Sequence, residues 1–268
     1  QLREAGLLED PPIEAFGSLR SRIERGRPSA LASRLAGLFV EHRLEIRGLD
    51  KIITYSYRFL FRPFFTRVAC TLYVALAIVG TFAFVQVLRE RDYLSVLLKG
   101  ASGSGYAYGA LTLLLAAAFL VVFHQAAHVY AAKSLGREVP SAGFIISRGL
   151  PFFYAETTDI WMESRRGRIM VSLAGTISDL LLGAGGGLFM YLVPDSEWNP
   201  LVFKLSFLSY GALLLDLNPL LELDGYYALA DRLEIPDLRE RSLRFIRREL
   251  WAKLKKRVPL SRDERIYA

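Results

Sequence analysis

The chain has 268 residues, 52% of them hydrophobic, with a mean hydropathy of +0.26. That excludes an ordinary soluble domain of this size, because the apolar residues gather into runs near or above the roughly 18–20 residues that cross a bilayer as a helix. The net charge of +7 would suit nucleic acid, but it lies in the two terminal segments, where the cytoplasmic flanks of a membrane protein carry theirs; no nucleic-acid partner is expected.

In chain order, residues 1–66 are mixed, charged and Arg-rich. The chain opens on Gln1 without Met, and no basic stretch followed by an apolar one marks a signal peptide; the opening reads as a piece of a longer protein with further regulatory domains outside it. From Ala30 to Ile46 apolar residues recur at helical spacing. Ile52 to Phe65 is aromatic and basic, which suits a segment lying at the membrane interface, or equally a soluble helix packed on another domain. The first span is expected from Val68 to Leu88. It contains the single cysteine, Cys70, which leaves no partner for a disulfide and reads as a small apolar filler. The second span runs from Tyr106 to Ala132. Gly143 to Tyr154 is apolar but interrupted by Ser147, Arg148, Gly149 and Pro151, and reads as a re-entrant or hairpin element packed on the bundle. The third span is Ile169 to Val193 and the fourth Leu201 to Leu217. Beyond Asp231 the tail is basic and helical in pattern. No internal repeat or low-complexity tract stands out.

The expected fold is therefore an all-α integral membrane protein of about four transmembrane helices. Residues 1–66 form a cytoplasmic and interfacial segment, 67–235 the membrane core, and 236–268 a basic cytoplasmic helix. Arginines at 137, 148, 165, 166 and 168 mark the connection between spans two and three as cytoplasmic, whereas 194–200 has no Lys or Arg. Four spans with both termini in the cytoplasm satisfy this bias, in a bacterial plasma membrane.

Two of the three histidines, His124 and His128, stand four apart near the end of span two, on one helix face and close enough to share an ion. Ionisable groups in an apolar helix are costly and usually functional. The string His124-Gln125-Ala126-Ala127-His128 departs at one letter from H-E-x-x-H, in which both imidazoles bind Zn²⁺ and the Glu is the general base. A catalytic zinc needs a third protein ligand. After span four, Leu217-Asn218-Pro219-Leu220-Leu221-Glu222-Leu223-Asp224-Gly225 offers Glu222 and Asp224, on the same side of the membrane as the histidines. Asp216 could accept a hydrogen bond from a ligand imidazole or pair with another helix. Thr157, Thr158 and Asp159 read as a solvated turn or the edge of a substrate strand. The glycines at 183, 185, 186 and 187 suit close helix approach. His42 reads as an isolated surface residue.

Together the His124/His128 pair, the Asn218-Pro219 to Asp224-Gly225 segment and Gly175-x-x-x-Asp179 resemble the site-2 protease family of intramembrane zinc metalloproteases over roughly residues 68 to 235. Gly149 to Trp161 is similar to a bacterial branch named for peptide zinc metalloproteases. The resemblance implies that His124, His128 and Asp224 are zinc ligands, and that Asn218 and Asp179 lie near a substrate. It implies as partners a transmembrane or membrane-associated peptide and membrane lipid. Gln125 occupies the place of the catalytic Glu. An amide can hydrogen-bond a water but cannot take its proton near neutral pH, so the chain is expected to bind zinc without hydrolysing peptides. An isosteric engineered replacement accounts for a site otherwise intact; a natural pseudoprotease that binds membrane helices without cleaving them is the rival. A metal or small-molecule transporter would need further ionisable residues along a path, and the first span has none.

Overall fold

The helices that dominate this chain approach closely at small residues and pack large ones around those contacts. In the computed structural model, residues 42–91, 93–97, 105–147, 150–235, 238–247 and 251–256 are described. They fall into two units: a small one of strand residues only (42–43, 145–147 and 150–152) and a large one that holds the rest. In order, the elements are β1 (His42–Arg47), α1 (Asp50–Ser56), a π-helical turn (Tyr57–Phe61), a 3₁₀ turn (Arg62–Phe65), α2 (Arg67–Glu90), a 3₁₀ turn (Leu94–Val96) and α3 (Gly105–Ser134). There follow β2 (Ser141–Ser147), β3 (Leu150–Ala155), a 3₁₀ turn (Thr158–Met162), α4 (Arg165–Leu192), α5 (Asn199–Asp216), α6 (Asp224–Leu233), α7 (Leu238–Phe245) and α8 (Trp251–Lys256).

Three helices, α2, α3 and α4, are long and apolar enough to cross a membrane. Their outward residues explain why bilayer, not water, is their solvent. Val68, Leu72 and Ile78 on α2 and Leu114 and Leu115 on α3 are all more than half exposed. In water so large an apolar surface is an aggregation liability; against lipid it costs nothing.

The fourth expected span is α5, a helix that falls short of the other three. Its 18 residues include Asn199, Lys204 and Asp216, and at 1.5 Å per residue it reaches about 27 Å, under the roughly 30 Å of a hydrocarbon core. Lys204 is 1% exposed, and its ammonium donates to Gly109 O at 2.8 Å and Thr112 Oγ1 at 2.7 Å on α3. A buried cation tied to a backbone carbonyl and a hydroxyl fastens α5 to α3.

Two further expectations change. The helical spacing read from Ala30 to Ile46 ends in a strand, because residues 42–47 form β1; residues 30–41 lie outside the described part. The element expected between spans two and three is extended backbone, β2 and β3, and joins β1 in a three-stranded sheet of order β1-β2-β3. Pairing with neighbours is what satisfies the backbone of an interrupted apolar segment. In the basic tail α7 and α8 are helical, and 248–250 and 257–268 lie outside the described residues.

Helix starts follow local chemistry. Thr66 Oγ1 accepts from Ala69 N at 3.2 Å to open α2, and Ser164 Oγ accepts from Gly167 N at 3.3 Å to open α4. α4 packs against α2, α3, α5 and α6. A side chain at Gly187 would collide with Phe84 and Gly80 of α2, and one at Gly80 with the backbone of Ala184. A side chain at Gly183 or Gly186 would press on Tyr210 or Ser206 of α5. Around these contacts Phe84, Val87, Met190 and Phe203 form one buried cluster; Val129, Ala131, Ala132, Val139 and Val171 form another near the far end of α3.

Gly80→Val should destabilise the large unit by roughly 1–3 kcal/mol or more, since overpacking meets backbone here. Gly185→Ala, with open space at that position, should be silent. Thermal unfolding of the detergent-solubilised variants checks both.

Candidate metal centre

Asn218-Pro219 ends α5, because proline cannot continue the ladder. The chain then turns: Asn218 Oδ1 accepts from Leu220 N at 3.0 Å, and Leu221 N donates back to Asn218 O at 3.2 Å. α6 opens on Asp224, a carboxylate in the first turn of a helix, where free N–H groups favour negative charge. A Cβ at Gly225 would strike Asp216 O, so the glycine lets the start of α6 close onto the end of α5.

This closure brings Asp224 to the two histidines of α3. Asp224 Oδ2 lies 2.9 Å from His124 Nε2 and 3.1 Å from His128 Nε2, and the two Nε2 atoms are 3.1 Å apart. The three atoms form a nearly equilateral triangle. Ligands at about 2.0–2.2 Å from a tetrahedral zinc stand roughly 3.3–3.5 Å apart, so a small outward shift accommodates the ion.

The outer nitrogens fix which atoms carry protons. His128 Nδ1 is 2.7 Å from Val171 O, which can only accept, so Nδ1 donates. His124 Nδ1 is 2.9 Å from Asp179 Oδ2, an acceptor when ionised. In neutral imidazole the other nitrogen then bears a lone pair. With both imidazoles neutral, two lone pairs and a carboxylate oxygen face one another, an arrangement relieved by a metal cation or by a proton between Nε2 and Asp224. Charge points the same way. Asp179 is 0% exposed, Asp216 is buried with Oδ2 at 3.8 Å from His124 Nδ1, and Asp179 Oδ1 and Asp216 Oδ2 have no hydrogen-bond partner among the described residues. Three carboxylates around two imidazoles in an apolar bundle make a donor set that could hold a divalent ion. Nitrogen and carboxylate donors, each imidazole oriented by an acceptor on its far side, suit Zn²⁺. Gly175 of α4 leaves the room required: a Cβ there would overlap both Nε2 atoms.

The other sequence candidates are placed as follows. Asp179, assigned to a substrate by resemblance, holds its carboxylate against His124 Nδ1. Asn218 is half-buried and its side chain is spent on Leu220 N, with no hydrogen bond to the His–Asp cluster among the described residues. Glu222 turns outward to Arg239 at 3.1 Å and is half exposed. Gln125 is half-buried beside His124 with no hydrogen bond from its amide among the described residues. Thr157 and Thr158 border a cleft of about 780 Å³ that also touches His128, Asp224, Tyr226 and Tyr227. Asp159 stands apart, accepting from Glu138 N at 3.0 Å. The far end of α6 is anchored to α4 by Arg168–Asp231 and Arg165–Glu234, both 2.7 Å. Neither that anchor, nor Val171 O, nor the clearance at Gly175 could be recognised from residue types alone; only the Gly-x-x-x-Asp spacing hinted at the last.

A protein of Bacillus subtilis (strain 168) named "Putative peptide zinc metalloprotease protein YydH" is 29% identical over 112 residues, which are 41% of this chain and 42% of that protein. The chain thus spans less than half the length of that curated relative. No protein-family model matches the chain, and no solved structure matches it.

Purified protein should carry about one zinc per chain by elemental analysis, and His124→Ala and Asp224→Ala should each lose it, while Glu222→Ala should not. Asp179→Ala should weaken zinc by about 10–100-fold in competition with a chelator, the usual cost of losing an imidazole's orienting partner.

Proposed function

We propose that this chain is the membrane core of an intramembrane zinc metalloprotease of the site-2 type, in a form that binds the metal and its substrate but does not cut. The observation that carries this reading is the convergence of His124 Nε2, His128 Nε2 and Asp224 Oδ2 beside an open cleft. Bound there, Zn²⁺ would polarise a peptide carbonyl and make water acidic enough to act near neutral pH.

The chain's own residues supply the rest. Asp179 and Val171 O hold the imidazoles in the tautomer that binds metal. The cleft takes an extended peptide along Thr157 and Thr158, which lie just beyond β3 after Glu156. The substrate is a transmembrane or membrane-associated peptide, because the site lies among helices apolar enough to cross a bilayer. A helical substrate must unwind first, since a folded helix hides the carbonyl that is attacked. The end of α3 that carries the histidines faces the cytoplasm of a bacterial cell, the side marked by the arginines between α3 and α4.

Gln125 is the reason for inactivity. A Glu in its place could take a proton from water and return it to the leaving amine; the amide can do neither. Loss of such acid–base help costs on the order of 10²–10⁴ in rate. The zinc ligands are untouched by the change, since the Glu of this motif does not bind the ion.

Gln125→Glu should produce cleavage of co-expressed membrane peptides, at least about 10²-fold over the parent chain, and His124→Ala added to it should abolish that cleavage. Uncut peptide with zinc still bound in Gln125→Glu would instead support a pseudoprotease that captures membrane helices.

A further inference from the structure

The segment before α2, residues 50–65, has two faces. Its inner face is fastened to the last turns of α3. Asp50 takes the Lys133 ammonium and the Val139 N–H. Burial alone would raise the Asp50 carboxyl, yet those two donors hold it below the usual carboxylate range. Ser56 Oγ meets Tyr130 OH at 3.1 Å, and the Phe61 ring stacks on Tyr130 with centroids 3.9 Å apart. Tyr130 is two residues past His128.

The outer face is apolar and uncovered. Ile52, Tyr55, Phe59, Leu60 and Phe64 are each more than half exposed, Phe59 at 73%. Arg58, Arg62 and Arg67 alternate with them, exposed and without an ion pair among the described residues.

Three features identify what covers this face. The segment passes straight into α2 through the Thr66 cap, so its apolar residues continue the outward belt of Val68, Leu72 and Ile78. Tyr73 OH donates to Phe64 O at 2.9 Å, which folds the 3₁₀ turn back alongside the first turns of a helix able to cross the membrane, not away from it. Aromatic rings interleaved with arginine are the chemistry of the headgroup boundary, where rings sit at the acyl edge and guanidinium groups pair with phosphate.

We propose that residues 50–65 form an amphipathic collar seated in the bilayer interface, with Ile52, Tyr55, Phe59, Leu60 and Phe64 in the acyl boundary and Arg58, Arg62 and Arg67 toward lipid phosphates. This depends on α2 crossing the bilayer and is independent of any catalytic activity.

The single cysteine allows a direct test. In a Cys70→Ser background, Phe59→Cys and Ile52→Cys each receive a bimane label, and the protein is reconstituted in vesicles of phosphatidylcholine and phosphatidylglycerol. Val74→Cys on the outer face of α2 serves as the lipid standard and Glu240→Cys, exposed on α7, as the water standard. The expected result is quenching by acyl-brominated lipid at 59 and 52 of at least half the value at 74. A smaller value at both positions overturns the proposal. Aqueous iodide then tells whether water covers the face, or whether shielding from both quenchers places protein there, from elsewhere in the chain or a second copy.

Discussion

The structure turns on one electrostatic constraint: His124 and His128 each give their outer N–H to a fixed acceptor, so both inner nitrogens present lone pairs to the same point. Val171 O and Asp179 do this from a single helix, α4. With those two bonds in place and both imidazoles neutral, the inner nitrogens and Asp224 are all acceptors, and a proton or a metal cation can join them. The centre is thus determined as much by the acceptors behind the ligands as by the ligands themselves.

Such a centre needs helices at short range, and glycine provides it. Gly175 lets α4 back onto both imidazoles, Gly225 lets α6 close on α5, and Gly80 with Gly187 seats α4 against α2. In a bilayer no hydrophobic force distinguishes a neighbouring helix from lipid, so close backbone approach and buried polar ties carry the association. Lys204 to Gly109 and Thr112, and Thr81 to Tyr210 at 2.9 Å, are ties of that kind. Glycines on three helices therefore serve packing and the candidate site alike.

Asp224 reaches the site by a different route from the histidines. They ride on the long helix α3; it sits at the head of a ten-residue helix that follows a proline break. Its position is held from both ends, by the close contact at Gly225 and by the Arg168–Asp231 and Arg165–Glu234 pairs at the far end of α6. The partly buried Arg168–Asp231 pair matters more than the exposed Arg165–Glu234 pair, which water screens.

Much was legible in the sequence. Apolar runs of helical length announced α2, α3 and α4, because a bilayer demands about 20 apolar residues whatever the tertiary context. The i, i+4 spacing put His124 and His128 on one face, and Asn-Pro announced the break before Asp224, because helix geometry and proline sterics are local. Other features were not local. The strand at 42–47 was hidden because its apolar spacing also fits a helix turn, and pairing in a sheet decides between them. α5 falls short through its 18-residue length and Asn199, Lys204 and Asp216, whereas the way Lys204 is buried depends on a carbonyl and a hydroxyl of another helix. Asp179 carried a Gly-x-x-x-Asp spacing but no sign of whether it faced a peptide or an imidazole; the packing of α4 on α3 turned it to His124. Residue types and spacings by themselves determined which groups could bind a metal. The tertiary structure alone decided that their acceptor atoms converge, because convergence requires three helices to meet where glycine has removed the side chains between them.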